Sequence, residues 1–165
     1  MARTSLPPRP RPTYGPQSIA IVGSLYNRKL VDSLVDSAHE ELKAILPGEK
    51  FPIFRVPGAF EIPVTVENLC RRGAFSAIIA LGVIIRGETA HADLVASSVT
   101  DGLQNIAIEH GTPVIHEVLL VDTERHAFER CMGTEINRGI EAARAAAGMA
   151  DLFGQIANAY PANHA

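Results

Sequence analysis

Cysteine is scarce in this chain, neither sign of charge is in large excess, and no apolar run is long. Each shortage excludes something. Cys70 and Cys131 form neither a disulfide framework nor a metal-binding spacing. They read as reduced thiols inside or beside helices. A formal net charge of −3 gives no hint of a nucleic-acid partner. No run approaches the roughly 20 apolar residues that span a bilayer, so no membrane partner is expected. Prolines and arginines stand where a secretory signal would have its apolar core, and the expected location is cytoplasmic. Several catalytic plans are missing too. There is no Gly-x-Ser-x-Gly elbow and no P-loop, and the first apolar run leads into Val22-Gly-Ser-Leu-Tyr26 rather than a dinucleotide-binding glycine pattern. His91, His110, His116 and His126 lack metalloenzyme spacing. What remains is an enzyme with no metal and no organic cofactor, working by acid–base chemistry and binding energy.

The chain has 165 residues, 47% hydrophobic and 20% charged, enough for one domain with a substantial core. Residues 1–17 read as a proline-rich flexible tail. Pro7, Pro8, Pro10, Pro12 and Pro16 deny it a helix, and Arg3, Arg9 and Arg11 keep it solvated. The alternative is an extended arm that docks on a neighbouring subunit. Residues 18–158 form the single domain, and 159–165 a C-terminal tail. Within the domain apolar runs alternate with helical patterns. Strands are expected at Ile19–Val22, Phe51–Val56, Ala77–Ile85 and Pro113–Val121. Helices are expected at Arg28–Leu46, Ile62–Arg72, Thr89–His110, Glu124–Met132 and Asn137–Asn158. The strands lack apolar/polar alternation, so both faces are covered. Such strands, alternating with helices, give βαβ units around a parallel sheet: an α/β fold. The small residues of the last helix, Ala142, Ala143, Ala145, Ala146 and Ala147, suit close packing on another backbone, with a second subunit one option. Arg125 and Arg144 read as surface residues.

Ligands of open parallel sheets bind beyond the carboxyl ends of the strands. That rule gathers four strand ends: Gly23–Asn27, Val56–Glu61, Gly82–His91 and Val118–Asp122. Tyr26-Asn27 offers a ring to stack on a planar heterocycle and an amide for a hydroxyl, or else a helix cap with a rim aromatic. Pro57-Gly-Ala-Phe-Glu-Ile-Pro63 fixes Phe60 and Glu61 between two breakers, and the Glu61 carboxylate suits a polyol. Leu81-Gly-Val-Ile-Ile-Arg-Gly-Glu-Thr-Ala-His91 is the most informative stretch. A strand that ends at a glycine and passes into a helix leaves backbone N–H groups free for an anion. His91 stands two residues beyond the Thr89 hydroxyl, so an anion cradle and a proton-transfer group lie side by side. On the following helix Arg130 has the planar fork that matches a phosphate, or pairs with a surface carboxylate. Arg138 is a second cation.

Taken in order, these segments, with Gly111-Thr-Pro-Val114, Glu129-Arg130 and Asn137-Arg-Gly139, make a chain that resembles the 6,7-dimethyl-8-ribityllumazine synthase family from about Ser18 to Leu152. The resemblance implies a flavodoxin-like three-layer α/β/α sandwich with a central four-stranded parallel sheet. It implies a transferase of riboflavin biosynthesis. That enzyme condenses 5-amino-6-(D-ribitylamino)uracil with L-3,4-dihydroxybutan-2-one 4-phosphate and releases phosphate and water, with no cofactor. It implies homopentamers with active sites between subunits, in many members assembled as a 60-subunit icosahedral shell, and riboflavin synthase as a further partner. Carried over by position, His91 and Arg130 are catalytic. Tyr26 stacks on the pyrimidine. Asn27, Ala59, Phe60 and Glu61 hold the ribityl side. Ile84 and Ile85 meet the pyrimidine edge, and Gly87, Glu88 and Thr89 hold the phosphate. His116, like Arg130, comes from the neighbouring subunit, and Arg138 is a further substrate-binding position.

Four positions depart from the family pattern. His116 replaces an aromatic or apolar residue, Ala92 an aromatic, His126 a glutamine and Arg138 a lysine. His116 and Ala92 leave open a non-catalytic lumazine- or riboflavin-binding protein of the same fold. A purely structural shell protein is a third reading, against which His91, Arg130 and Glu61 argue. The short loop between Arg130 and Asn137 favours the shell.

Overall fold

The computed structural model describes residues 6–162; the outermost parts of the two expected tails, 1–5 and 163–165, lie outside the described residues. Four strands, β1 (Ile19–Ser24), β2 (Ile53–Val56), β3 (Ala77–Ile85) and β4 (Val114–Val121), form one sheet in the order β2-β1-β3-β4. Every pairing is parallel. Among the described residues five α-helices connect and flank them: α1 (Arg28–Ile45), α2 (Ile62–Arg71), α3 (His91–His110), α4 (Glu124–Met132) and α5 (Arg138–Ala159). A 3-10 turn, Ala59–Glu61, leads into α2.

The three-layer sandwich follows from the two-sided burial of the strands. Every residue of β1 is buried. Ile19 and Ile21 pack with Leu34, Leu42, Ile79, Leu81 and the alanines of α5 on one face. Ala20 and Val22 pack with Ile62 and Val66 of α2 and Val99 and Leu103 of α3 on the other. Alternate side chains of one strand thus feed two cores, which is why no polar alternation marks these strands in the sequence. The fold is the expected flavodoxin-like α/β/α arrangement with a four-stranded parallel sheet.

Element boundaries differ from expectation where proline intervenes. β2 begins at Ile53 rather than Phe51, and β4 at Val114 rather than Pro113. Pro52 and Pro113 have no N–H to give the ladder, yet their carbonyls accept from Ile21 N and Ile78 N, both at 2.9 Å. Helix α3 begins at His91, not Thr89, because residues 86–90 form a loop.

The alanine face of α5 packs on α1 of the same chain, not on a second copy. Ala142, Ala143, Ala146, Ala147 and Ala150 are buried in the α1 core, whereas Ala145 is exposed. Gly139 marks the closest approach: a Cβ there would stand 2.4 Å from the Leu34 carbonyl oxygen. Arg144, read as a surface residue, is instead largely enclosed, with a side chain 15% exposed. Its Nε donates to Glu41 Oε1 at 2.8 Å, and its Nη1 donates to the Pro7 carbonyl. Arg9 binds the same carboxylate with two bonds, 2.8 and 2.9 Å. The bonds from Arg9 and Arg144 outweigh the burial of Glu41 and hold its carboxyl below the usual carboxylate range. Farther along, Thr13 N and Tyr14 N donate to Asp151 at 2.7 and 2.9 Å. Residues 7–14 therefore lie against α1 and α5 of their own chain.

Candidate active site

The carboxyl ends of β1, β2 and β3 open into one cleft of about 430 Å³. Two hydrogen bonds beyond the strands sew the first two segments together. Leu25 N donates to Val56 O at 2.7 Å, and Tyr26 N to Pro57 O at 3.1 Å. The Tyr26 ring thereby lines the same wall as Phe60, and both are open to ligand, at 73% and 61% exposed. Asn27, next in line, is the one residue other than glycine with positive φ among the described residues (φ 54°, ψ 41°). It stands where a helix cap would stand but makes no side-chain cap bond. Its amide donates to Val83 O on β3 at 2.8 Å. Asn27 is thus a brace between two strand ends at the back of the cleft and does not itself line it.

Glu61 is placed by its own loop. Its Oε2 accepts from Gly58 N at 2.8 Å, while Oε1 has no hydrogen-bond partner among the described residues. One oxygen fixes the turn and the other is free for a ligand hydroxyl. Beside it lie Ala59, Gly58, Val83, Ile84, Ile85, Val95 and Ala92, an apolar floor with backbone groups at its edges.

The third wall is the loop from β3 into α3. Gly87, Thr89 and His91 line the cleft. His91 is the first residue of α3, is exposed, and donates its backbone N–H to Thr89 Oγ1 at 3.4 Å. The preceding residue, Ala90, provides no side-chain cap. The N–H groups of Ala92 and Asp93 in the first turn of α3 are therefore open to an anion, aided by the helix dipole. Glu88 is exposed and does not line the cleft.

Three expected site residues lie elsewhere in this chain. Arg130 Nη1 donates to the His126 carbonyl of its own helix at 3.1 Å. Arg138 pairs with Glu141 at 2.7 Å. His116 is half-buried on β4: Val118 N donates to its Nδ1 at 3.1 Å, and its Nε2 is 2.8 Å from Thr100 Oγ1, which donates onward to Ala96 O. An Nδ1 that accepts leaves Nε2 carrying the proton, so the ring is neutral, and burial depresses its pKa. None of the three belongs to the walls of this chain's cleft.

The cleft therefore offers aromatic faces, a half-free carboxylate, an uncapped helix start and an imidazole within one cavity. No cluster of metal-ligating side chains occurs among the described residues. A family model described as 6,7-dimethyl-8-ribityllumazine synthase matches residues 16–154.

The chain belongs to the 6,7-dimethyl-8-ribityllumazine synthase family.

Relatives carrying that family name include one from Pyrococcus furiosus, 44% identical over 135 residues, covering 82% of this chain and 84% of the relative. One from Thermococcus onnurineus is 41% identical over 138 residues, covering 82% and 88%. One from Halorhodospira halophila is 39% identical over 138 residues, covering 83% and 88%. The lumazine synthase match spans all three walls of the cleft and begins just ahead of β1. Gly58, Val83 and Val95 also line the cleft, and Arg86 bears on it, beyond the residues expected from the sequence. Arg86 lies within the quoted motif, and its role emerges only with its partners in place. Among the described residues no helix is long and apolar enough to cross a membrane.

Proposed function

We propose that this chain condenses 5-amino-6-(D-ribitylamino)uracil with L-3,4-dihydroxybutan-2-one 4-phosphate to 6,7-dimethyl-8-ribityllumazine, with loss of phosphate and water. The observation that carries this reading is the shared cleft of Tyr26, Phe60, Glu61, Thr89 and His91 in a member of the lumazine synthase family. Tyr26 and Phe60 supply aromatic surface for the pyrimidine and its chain. Glu61 Oε1 accepts from ribityl hydroxyls, and Ile84 and Ile85 present backbone groups to the ring edge. Gly87, Thr89 and the first turn of α3 receive the phosphate.

His91 handles protons. When the substrate amine adds to the ketone, the resulting carbinol oxygen leaves as water and needs a proton. Loss of phosphate then needs a base at the neighbouring carbon. One imidazole at the cleft edge serves both steps in turn. Holding the two reactants together supplies much of the rate.

The active unit is a homo-oligomer. Arg130, Arg138 and His116 of one copy complete the cleft of the next, in a pentamer that closes into a 60-subunit shell. The catalytic domain is 18–158, flanked by segments 1–17 and 159–165. The enzyme works in the cytoplasm, where riboflavin synthase takes its product.

The test is turnover of the two substrates by purified protein. His91→Ala should slow kcat about a hundredfold, the lower end of the acid–base range, with assembly mass unchanged. Arg130→Ala should raise KM for the phosphorylated ketone about tenfold or more, as expected for loss of a charge-assisted pair. Wild-type protein that binds the lumazine yet turns over neither substrate would overturn the reading.

A further inference from the structure

Residues 86–90 carry the anion-binding part of the cleft, yet little inside the loop holds it. Its own hydrogen bonds are His91 N to Thr89 Oγ1, at 3.4 Å, and Leu94 N to Ala90 O, at 3.1 Å. Gly87, Glu88, Thr89 and Ala90 are all exposed. A segment with so few bonds opens readily unless it is tied at its ends.

The tie is Arg86. Its backbone N–H makes the last bond between β3 and the end of β4, to Val121 O at 2.9 Å. Its guanidinium then spans two further elements. Nε and Nη2 donate to Asp93 Oδ1 in the first turn of α3, at 3.0 and 2.9 Å. Nη1 donates to Asp122, just past β4. One side chain thus joins the start of the loop, the helix that follows it and the neighbouring strand end.

We propose that Arg86 is a positioning residue, a clasp that fixes the 87–90 loop and the first turn of α3 so that the phosphate-binding N–H groups and the His91 ring face one cleft. The inference rests on the proposed function for the identity of the anion. The alternative role for an arginine in this loop is to bind the phosphate itself. The geometry disfavours that: three of the five guanidinium N–H groups are engaged by two carboxylates that offset its charge, and Arg86 is absent from the cleft lining. A phosphate would meet a guanidinium whose charge Asp93 and Asp122 already offset.

The two roles give opposite results when Asp122 is neutralised. A clasp is weakened by Asp122→Asn just as it is by Arg86→Met, whereas a phosphate ligand is freed by it. The experiment takes the full-length assembly as wild type, Arg86→Met, Arg86→Lys, Asp122→Asn and the double variant Arg86→Met/Asp122→Asn. Steady-state kinetics are measured in each substrate, with inorganic phosphate as competing inhibitor and amide hydrogen exchange of residues 87–91 as a readout independent of turnover. Arg86→Met and Asp122→Asn should both raise KM for the phosphorylated ketone, and the inhibition constant of phosphate, by about 10- to 100-fold, the scale of an ångström-sized misplacement. KM for the aminouracil should stay within about twofold, loop exchange should quicken in both, and the double variant should be little worse than either. Arg86→Lys should recover only part, since an ammonium cannot bridge both carboxylates with a planar fork. Phosphate binding that tightens or is unchanged in Asp122→Asn, while Arg86→Met loses it, would make Arg86 a ligand and end the proposal. Wild-type exchange rates at 87–91 in both single variants would end it as well. Should the wild type fail to turn over, the proposed function falls, and the exchange data still decide the clasp.

Discussion

Asn27 allows two contributions to be separated. It sits at φ 54° and ψ 41°, in the left-handed region, and its amide donates to Val83 O at 2.8 Å. Replacing it by alanine removes the hydrogen bond, worth about 1 kcal/mol net. Alanine must also hold the left-handed backbone, at a cost of about 1–2 kcal/mol. Asn27→Ala should therefore lose about 2–3 kcal/mol. Asn27→Gly loses the same hydrogen bond but tolerates the backbone, and adds about 0.5–1 kcal/mol of chain entropy. It should lose about 1.5–2 kcal/mol. Glycine should thus be the milder replacement, reversing the order found within a helix, where glycine is the worse by about 1 kcal/mol. Chemical denaturation of both variants at one protein concentration gives the comparison. For a chain of this size a gap of about 1 kcal/mol is a midpoint shift of about 2–4 °C on heating. An alanine variant as stable as the glycine variant, or more stable, would mean that the left-handed turn is not what this position demands. Asn27 follows Tyr26 directly, so the same two variants should also weaken binding of the aminouracil in that order.

Two further expectations concern the scaffold. Gly139→Ala would set a methyl group 2.4 Å from the Leu34 carbonyl oxygen and 2.9 Å from Ser37 Cβ. Overpacking of about 1–3 kcal/mol should outweigh the helix-propensity gain of about 1 kcal/mol, so denaturation should find a net loss; a stabilised variant would contradict the close approach of α1 and α5. Burial lifts the Glu117 carboxyl from an ordinary 4.5 to about 7, against the opposing pull of Arg138. Between those two pH values the unfolded chain ionises this group and the folded chain does not, so stability falls as pH rises through the window and stays lower above it. Glu117→Gln should therefore gain on the wild type with rising pH, by up to about 3 kcal/mol at pH 8 and by nothing at pH 4, in denaturation at the two pH values. A gap that does not vary with pH would contradict the burial of the charge.

The sheet and its helices were legible in the sequence because β1 and β3 are covered on both faces, leaving unbroken apolar runs between helical repeats. Most of the cleft was legible for a related reason: strand ends with Gly or Pro beside Tyr26, Glu61 and His91 can only gather at one edge of a parallel sheet. Long-range pairing was not legible. Nothing local to Arg144 announces Glu41, which is far off in the chain and largely buried between Arg144 and Arg9. The same holds for Arg86, since Asp122 is brought beside it only by the pairing of β3 with β4. Asn27 was half-legible: its place before a helix suggested a cap, but the side chain turns to the neighbouring strand instead. Pro52 and Pro113 blurred two strand starts because each lends the ladder a carbonyl and no donor.

The charges around the anion loop bear on why such a cleft would be completed by another copy. Within and beside the loop stand Glu88, Asp93 and Asp122, and the last two share a single guanidinium, that of Arg86. The clasp that shapes the loop thus leaves its surroundings net negative. Backbone N–H groups and a helix dipole favour an anion by only about 0.3–1 kcal/mol at an exposed site. That is a small gain at an exposed site whose carboxylates outnumber its guanidinium. In the same chain Arg130 and Arg138 are turned to the His126 carbonyl and to Glu141. A second copy bringing Arg130 to the loop would supply the missing charge at the moment of assembly. In the proposed assembly Arg86 would order the loop, and Arg130 of another copy would meet the phosphate.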